Sequence, residues 1–261
     1  MQLTNKRALV TGAAHRVGRA IALALAGRGA SILLHYGRSR PEAEATRFEI
    51  EALGAEAWLV QADLAVPEEI ERLFVEIERR PGGLDVLVNS AALFDRQPFD
   101  QIRLEDWERS LAVNLRAPFL LTQRAARLMR ATPRPDGETA AIVNILDHSG
   151  LEPWPSYVQH GVAKAGLAHL TRITARELAP EIRVNAVVPG AVLPHPGATE
   201  EDPEWQALWR RIPTEKPGSP ADIGAAVAFL VESEFILGAT LPVDGGESLL
   251  GAGQRRKERS A

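Results

Sequence analysis

Short apolar runs rich in β-branched residues alternate with longer amphipathic segments along the whole chain. Turn residues bound these runs, which predict seven strands, at 8–11, 31–35, 57–61, 86–89, 141–146, 183–188 and 240–243. Between them, apolar residues recur at helical spacing, as at Ile70, Phe74 and Ile77. The run IVNIL is apolar almost throughout, as expected of a parallel strand buried on both faces. The pattern therefore predicts an α/β fold, with one doubly wound parallel sheet of seven strands and helices on both faces.

Composition narrows the class of protein. Hydrophobic residues make up 45% of the 261 residues and charged residues 25%, which is typical of globular proteins and excludes fibrous and disordered classes. A net charge of −4 offers no general basis for binding nucleic acid, so no such partner is expected. Apolar segments are interrupted before the roughly 18 residues needed to cross a bilayer, so no membrane span is expected. The chain has no cysteine and starts without signal-peptide features, and we expect a cytoplasmic protein.

One domain is expected, over residues 1–250. The segment that follows, 251–261, is polar and basic and has no apolar residues to bury, which is typical of a frayed terminal tail.

The first predicted strand ends in the turn TGAAHRVG, where a helix opens. Such a turn directs backbone N–H groups and the positive end of the helix at a pyrophosphate, while glycines allow the ligand to approach. Taken alone, the spacing also fits an ordinary strand-to-helix turn. The candidate cofactor residues in this turn are Gly12, His15, Arg16, Val17 and Gly18.

The end of the second predicted strand indicates which nucleotide is bound. The segment His35-Tyr36-Gly37-Arg38-Ser39 lacks the acidic residue that would accept from a ribose 2′-hydroxyl. Arg16 and Arg38 can instead present guanidinium groups to a 2′-phosphate, with Ser39 as a further donor, so NADP(H) is favoured over NAD(H). The alternative is that both arginines are solvated loop residues. After the third strand, Asp63 and Leu64 would contact the adenine, although Asp63 also fits an ordinary turn role.

Several motifs together carry a family resemblance. The turn T-G-x3-R-x-G, the segment HYGRS, A-D-L at 62–64, V-N-S-A-A-x-F at 88–94, Asn114, Lys164 and V-P-G at 188–190 resemble a short-chain dehydrogenase/reductase. Arg16, HYGRS and Phe94 are similar to the pteridine reductases and dihydromonapterin reductases. The resemblance implies a Rossmann-type fold, a homotetramer, and NADPH-dependent reduction of a small flat substrate, pteridine-like. A carbonyl or oxoacyl reductase and a catalytically impaired NADP-binding regulatory protein are the alternatives.

The resemblance also implies roles for individual residues. Asn89, Ser90 and Ala91 would lie on the ribose side of the cofactor, and Pro189 and Gly190 would cover the nicotinamide. Asn114 would support a water relay to Lys164. Asp147 stands where the family usually has a catalytic serine, which the pteridine branch replaces by an aspartate that helps to protonate the pterin ring. Phe94 would stack on a pterin ring, with core packing as the alternative.

The chain departs from the family motif Tyr-x-x-x-Lys, because His160 stands four residues before Lys164. In one interpretation His160 is the proton donor, with Lys164 opposing and Asp147 favouring its positive charge. In a second, Asp147 gives the proton, alone or with Tyr157, which lies three residues earlier at helical spacing, and His160 only shapes the substrate pocket. In a third, the chain binds NADPH with little or no turnover. We expect Asp147 and His160 both to contribute.

Overall fold

A single parallel sheet forms the centre of the molecule, a computed structural model that describes residues 1–135, 137–195 and 197–250. Its seven strands lie in the order β3-β2-β1-β4-β5-β6-β7. The strands are β1 Arg7–Val10, β2 Ser31–Tyr36, β3 Ala57–Gln61, β4 Val86–Asn89, β5 Ala140–Ile145, β6 Ile182–Pro189 and β7 Thr240–Val243. The predicted doubly wound α/β fold is confirmed, and each predicted strand overlaps an observed one.

Helices cover both faces of the sheet. They are α1 Arg16–Ala26, α2 Arg40–Ala52, α3 Pro67–Glu78, α4 Leu104–Leu111, α5 Ala117–Ala131, α6 Val158–Leu178, α7 Pro203–Trp209 and α8 Pro220–Glu232. A π-helical segment, Ala112–Arg116, joins α4 to α5 without a break.

Alternate residues of the central strand β1 point into two separate apolar cores. Ala8 and Val10 face the core that contains α1 and α8, whereas Leu9 faces the core that contains α3 and α5. All three side chains are fully buried. A strand buried on both faces needs apolar residues at every position, which explains why β1 shows no polar alternation.

The strand order reverses at β1, which has β2 on one side and β4 on the other. Ligands of such sheets bind outside the carboxyl ends of the strands at this switch point. Within the described residues, no helix is both long and apolar enough to cross a bilayer. The predicted tail, 251–261, lies outside the described residues.

Candidate active site

A cleft of about 1340 Å³ opens at the carboxyl ends of the strands. Most of the residues predicted from the sequence line it, including both glycines of the first turn, Arg38, Asp63, Phe94, Asp147, Tyr157, His160 and Lys164. Four predicted residues do not line it: Tyr36, Ser39, Asn89 and Asn114.

The turn after β1 is packed so tightly that two of its positions require glycine. A Cβ atom on Gly18 would lie 2.2 Å from the carbonyl oxygen of Gly12, and one on Gly12 would lie 2.9 Å from Cα of Ala91. His15 caps α1 without any side-chain hydrogen bond, so its side chain leaves the first N–H groups of the helix free for a ligand. The turn therefore has the form of a phosphate-binding site.

His35 has a structural role that the sequence did not reveal. Its Nδ1 accepts a hydrogen bond from the backbone N–H of Gly12 at 3.1 Å, and its Nε2 lies 3.1 Å from the carbonyl oxygen of Ala62. Burial lowers the pKa of His35 to about 4, so the ring is neutral at pH 7. A neutral ring with the proton on Nε2 satisfies both contacts. His35 thus ties together the carboxyl ends of β1, β2 and β3.

The two arginines predicted to share a 2′-phosphate lie in different surroundings. Arg38 is exposed at the cleft and makes no side-chain hydrogen bond or ion pair with any residue that the structure describes. Arg16 instead donates from Nη2 to the carbonyl oxygen of Pro194 at 2.7 Å. Tyr36 is buried in the core, and Ser39 caps the start of α2. Arg38 is therefore the cationic group best placed for a phosphate on the ribose.

The residues after β3 and β4 hold their loops in place. Asp63 Oδ1 accepts from the backbone N–H of Ala65 at 2.9 Å, which supports the predicted turn role. Thr11 Oγ1 accepts from the backbone N–H groups of Ser90 and Ala91, at 2.9 and 3.0 Å. Thr11 was not among the site residues predicted from the sequence, although its hydroxyl holds the loop that follows β4.

Asn89 is a buried structural residue rather than part of the cleft wall. Its Nδ2 donates to Asn144 Oδ1 at 2.8 Å, and Asn144 in turn donates to Thr171 Oγ1 at 2.9 Å. This chain of amides links β4, β5 and α6. Buried polar groups need such partners, and the side chain of Asn89 is therefore committed to the fold.

Gly190, after β6, packs directly on the loop that follows β7. A Cβ atom at Gly190 would lie 2.6 Å from Cα of Asp244, so only glycine fits there. Asp244 is held in turn, because its carboxylate lies 3.2 Å from His148 Nε2 and accepts from the backbone N–H of Gly246. Pro189 and Gly190, which are predicted to cover the nicotinamide, are therefore packed on a loop that is itself held by hydrogen bonds.

His160 is buried, with 2% of its side chain exposed, and one nitrogen of its ring is held by a hydrogen bond. Its Nδ1 lies 2.7 Å from the carbonyl oxygen of Leu93, which can only accept a hydrogen bond. This contact requires the proton on Nδ1, and Nε2 is buried without a hydrogen-bond partner among the described residues. Nε2 lies 3.8 Å from Asp147 Oδ1, too long for a hydrogen bond but close enough for charge attraction.

Asn114 contacts His160 directly, with Nδ2 3.4 Å from the ring Nδ1, and also holds Leu93. Its Oδ1 accepts from the backbone N–H of Leu93 and its Nδ2 donates to the carbonyl oxygen of the same residue, both at 2.9 Å. Nδ2 also donates to Ser110 Oγ at 3.1 Å. The described contacts make Asn114 a positioning residue for the Leu93 carbonyl, and the predicted water relay remains a prediction.

Lys164 follows His160 by one turn of α6, and 3% of the residue is exposed. Its Nζ donates to the carbonyl oxygen of Ile145 at 2.7 Å. Burial lowers the pKa of Lys164 to about 8, and the charge of Asp147 opposes this shift only in part. Lys164 is thus mainly cationic at pH 7 and lies in the cleft wall.

Asp147 is a carboxylate rather than a carboxylic acid. Burial disfavours its charge, but His160 and a hydrogen bond from the backbone N–H of Ser149 outweigh burial and lower the pKa of Asp147 to about 2. An ionised carboxylate has no proton to give, which favours His160 over Asp147 as the donor, and the choice between the two stays a prediction. Asp147 can instead stabilise positive charge on His160.

Tyr157 precedes α6 as its N-cap and is not part of the helix, so the predicted helical relation to His160 is wrong. Its ring stacks on Phe94, with centroids 4.6 Å apart. Burial raises the pKa of Tyr157 and makes its phenol a weaker acid. The structure therefore gives Tyr157 a place in an aromatic wall rather than an evident role in proton transfer.

His195 completes this wall. Its ring is nearly parallel to Phe94, at 10° and 5.6 Å between centroids, and Phe94 also meets His160 edge-on at 4.8 Å. We call Phe94, Tyr157 and His195 the aromatic wall. His195, and Trp205 on α7 that also lines the cleft, were not predicted, because the sequence of residues 191–211 carries no pattern that indicates substrate contacts.

The amino-acid sequence is similar to those of known proteins over nearly the whole chain. A family model described as enoyl-(acyl carrier protein) reductase matches residues 12–248. The chain is 34% identical to 3-oxoacyl-[acyl-carrier-protein] reductase of Staphylococcus epidermidis over 245 residues, which cover 93% of this chain and 98% of that protein.

Two solved structures show the same fold with a nucleotide bound. The angucycline C-6 ketoreductase LanV with bound NADP is 32% identical, with a TM-score of 0.85, and the match covers 95% of this chain and 97% of LanV. A short-chain dehydrogenase from Burkholderia cenocepacia J2315 in complex with NADP is 35% identical, with a TM-score of 0.85, over 94% of this chain and 99% of that one.

Proposed function

The chain belongs to the short-chain dehydrogenase/reductase family, and we propose that it reduces a carbonyl group with NADPH, using His160 as the proton donor. The cofactor is NADP(H), as in the related structures. The observation that carries the proposal is the geometry of His160, which lines the cleft together with Lys164: its Nδ1 is held by the Leu93 carbonyl, while its Nε2 is buried without a hydrogen-bond partner among the described residues.

The residues present fit the cofactor. The Gly12 to Gly18 turn offers free N–H groups for the pyrophosphate, Arg38 offers a guanidinium for the 2′-phosphate, and Pro189 and Gly190 line the same cleft, where they would cover the nicotinamide. When bound, NADPH supplies the hydride. The protein must then deliver a proton to the carbonyl oxygen of the substrate, within hydrogen-bond reach of the donor.

His160 is the group best suited to that task. An imidazolium is an effective acid near neutral pH. The carboxylate of Asp147 faces Nε2 at 3.8 Å and stabilises the positive charge that Lys164 would otherwise repel. Once Nε2 gives its proton away, Nδ1 keeps its hydrogen bond to the Leu93 carbonyl, so the ring stays in place for reprotonation.

The aromatic wall favours a flat substrate. Three near-parallel rings beside the proton donor offer a face on which a planar ketone can lie. Two of the relatives described above, the Staphylococcus epidermidis protein and LanV, are named for reactions on oxoacyl and keto groups, which supports the carbonyl or oxoacyl alternative over a pteridine. A dihydropteridine is the second candidate, because a flat pterin would suit the same wall.

The test is NADPH oxidation by the purified protein with a β-keto thioester, cyclic and polycyclic ketones, and a dihydropteridine, alongside a direct NADPH titration. We expect turnover of at least one ketone with a kcat/KM about tenfold or more above that of the dihydropteridine, corresponding to about 1.4 kcal/mol. The reverse order would support the pteridine. Tight NADPH binding without turnover of any compound would support the regulatory protein.

A further inference from the structure

Arg16 adopts a backbone conformation that ordinary residues avoid. Its φ is 55°, in the left-handed region where glycine is preferred, at the first residue of α1. The side chain does not stay at the turn, since Nη2 donates to the carbonyl oxygen of Pro194 at 2.7 Å across the cleft. A disfavoured backbone is thus accompanied by a specific long-range contact.

The contact reaches the residue next to the aromatic wall. Pro194 is buried, and its ring restricts the backbone that leads into His195. His195 is itself exposed, yet its ring is stacked near Phe94. The contact from Arg16 therefore acts on the short segment that places this ring.

We propose that Arg16 is a positioning residue for the substrate: through the Pro194 carbonyl it holds His195 in the aromatic wall. This separates its task from that of Arg38, which makes no side-chain hydrogen bond or ion pair with the described residues and is predicted to bind the 2′-phosphate. Recognition of the substrate then depends on a residue of the cofactor turn. The effect on substrate rests on the proposed carbonyl reduction, whereas the effect on the loop does not.

Arg16→Gly is the decisive variant because it is compatible with the local backbone. Glycine adopts a φ near 55° without penalty, so loss of fold is not expected and the melting temperature should stay level or rise. Asn5→Gly is the matched control, since Asn5 is exposed and has a φ of 63°. Arg16→Lys keeps the charge and one donor group and should rescue part of the contact.

For Arg16→Gly we expect KM for the ketone to rise about tenfold, consistent with the loss of one hydrogen bond from a charged donor, with kcat changed less. The ratio of NADPH to NADH affinity should stay within about twofold. In the protein without cofactor, amide hydrogen exchange in residues 191–195 should speed up about tenfold, consistent with the same lost bond, and Asn5→Gly should leave it unchanged.

Two results would overturn the proposal. One is unchanged exchange in residues 191–195 of Arg16→Gly, which would show that the contact does not hold the segment. The other is a collapse of the NADPH preference with an unchanged KM for the ketone, which would return Arg16 to the 2′-phosphate. If no ketone is turned over at all, the proposed function fails, but the exchange measurement still decides the role of Arg16.

Discussion

Replacing His160 by Phe tests the proton donor directly. Phenylalanine keeps a flat ring of similar size but has no proton to give. The carbonyl oxygen of Leu93 would keep a partner, because Asn114 Nδ2 also donates to it at 2.9 Å. The substitution thus removes the acid without leaving that acceptor unpaired. We expect NADPH affinity to stay within about twofold while turnover falls, as loss of a transition-state interaction requires.

The size of the loss follows from the groups that remain. General acid catalysis contributes roughly 10²- to 10⁴-fold to a rate, and we expect kcat to fall within this range. The variant also changes Asp147, because His160 is the main cause that lowers its pKa, and without His160 the burial of the carboxyl raises that pKa. The activity that remains in His160→Phe therefore measures how far Asp147 can act as the acid. Asp147→Asn should be the milder change, with a loss of about tenfold from weaker support of the imidazolium.

The assay is single-turnover NADPH oxidation with the best ketone, measured over a range of pH. His169→Phe is the matched control, since His169 is exposed on the same helix α6. Thermal melting separates loss of fold from loss of chemistry. A folded His160→Phe protein with full activity across the pH range would refute the assignment.

Four further outcomes are expected. Arg38→Asp should move the NADPH to NADH affinity ratio about tenfold or more toward NADH, because a carboxylate repels the 2′-phosphate; nucleotide titrations measure it. Burial lowers the pKa of Lys164 from 10.5 to about 8, so only the unfolded chain holds this proton between those values. Stability should rise with pH in that window by up to about 3 kcal/mol relative to Lys164→Met, measured by urea unfolding. Burial lowers the pKa of His35 from 6.5 to about 4, so the unfolded chain takes up a proton first as the pH falls. Up to about 3 kcal/mol of stability should be lost between these values, and less in His35→Gln. The family resemblance predicts a homotetramer, which light scattering would show as a four-chain mass.

The fold was predictable because its signals are local. Strands buried on both faces read as apolar runs, and amphipathic helices separate them, so every strand could be placed within one or two residues of its ends. The glycine positions were also readable, since the contacts at Gly12 and Gly18 leave no room for a Cβ atom. These features depend on short stretches of chain and on backbone geometry that one residue type satisfies.

The site was harder to predict because its key contacts use backbone atoms and distant segments. The anchor of His160 is the carbonyl oxygen of Leu93, and a carbonyl carries no sequence signal. The structural contacts of His35 could not be predicted because its partners, the N–H of Gly12 and the carbonyl of Ala62, are also backbone groups. His195 belongs to the irregular segment 191–211, whose position depends on tertiary contacts such as that with Arg16.

The two unusual residues of the active site make sense only as a pair. A tyrosine donor benefits from a neighbouring cation, because the cation lowers the pKa of the phenol. A histidine donor has the opposite need, because Lys164 one turn away disfavours the imidazolium. Asp147 meets this need, since its carboxylate faces Nε2 at 3.8 Å and stays ionised, with a pKa of about 2. A serine at position 147 would offer no such charge. His160 therefore requires the carboxylate, and Asp147 is better understood as the counter-charge of the donor than as a second acid.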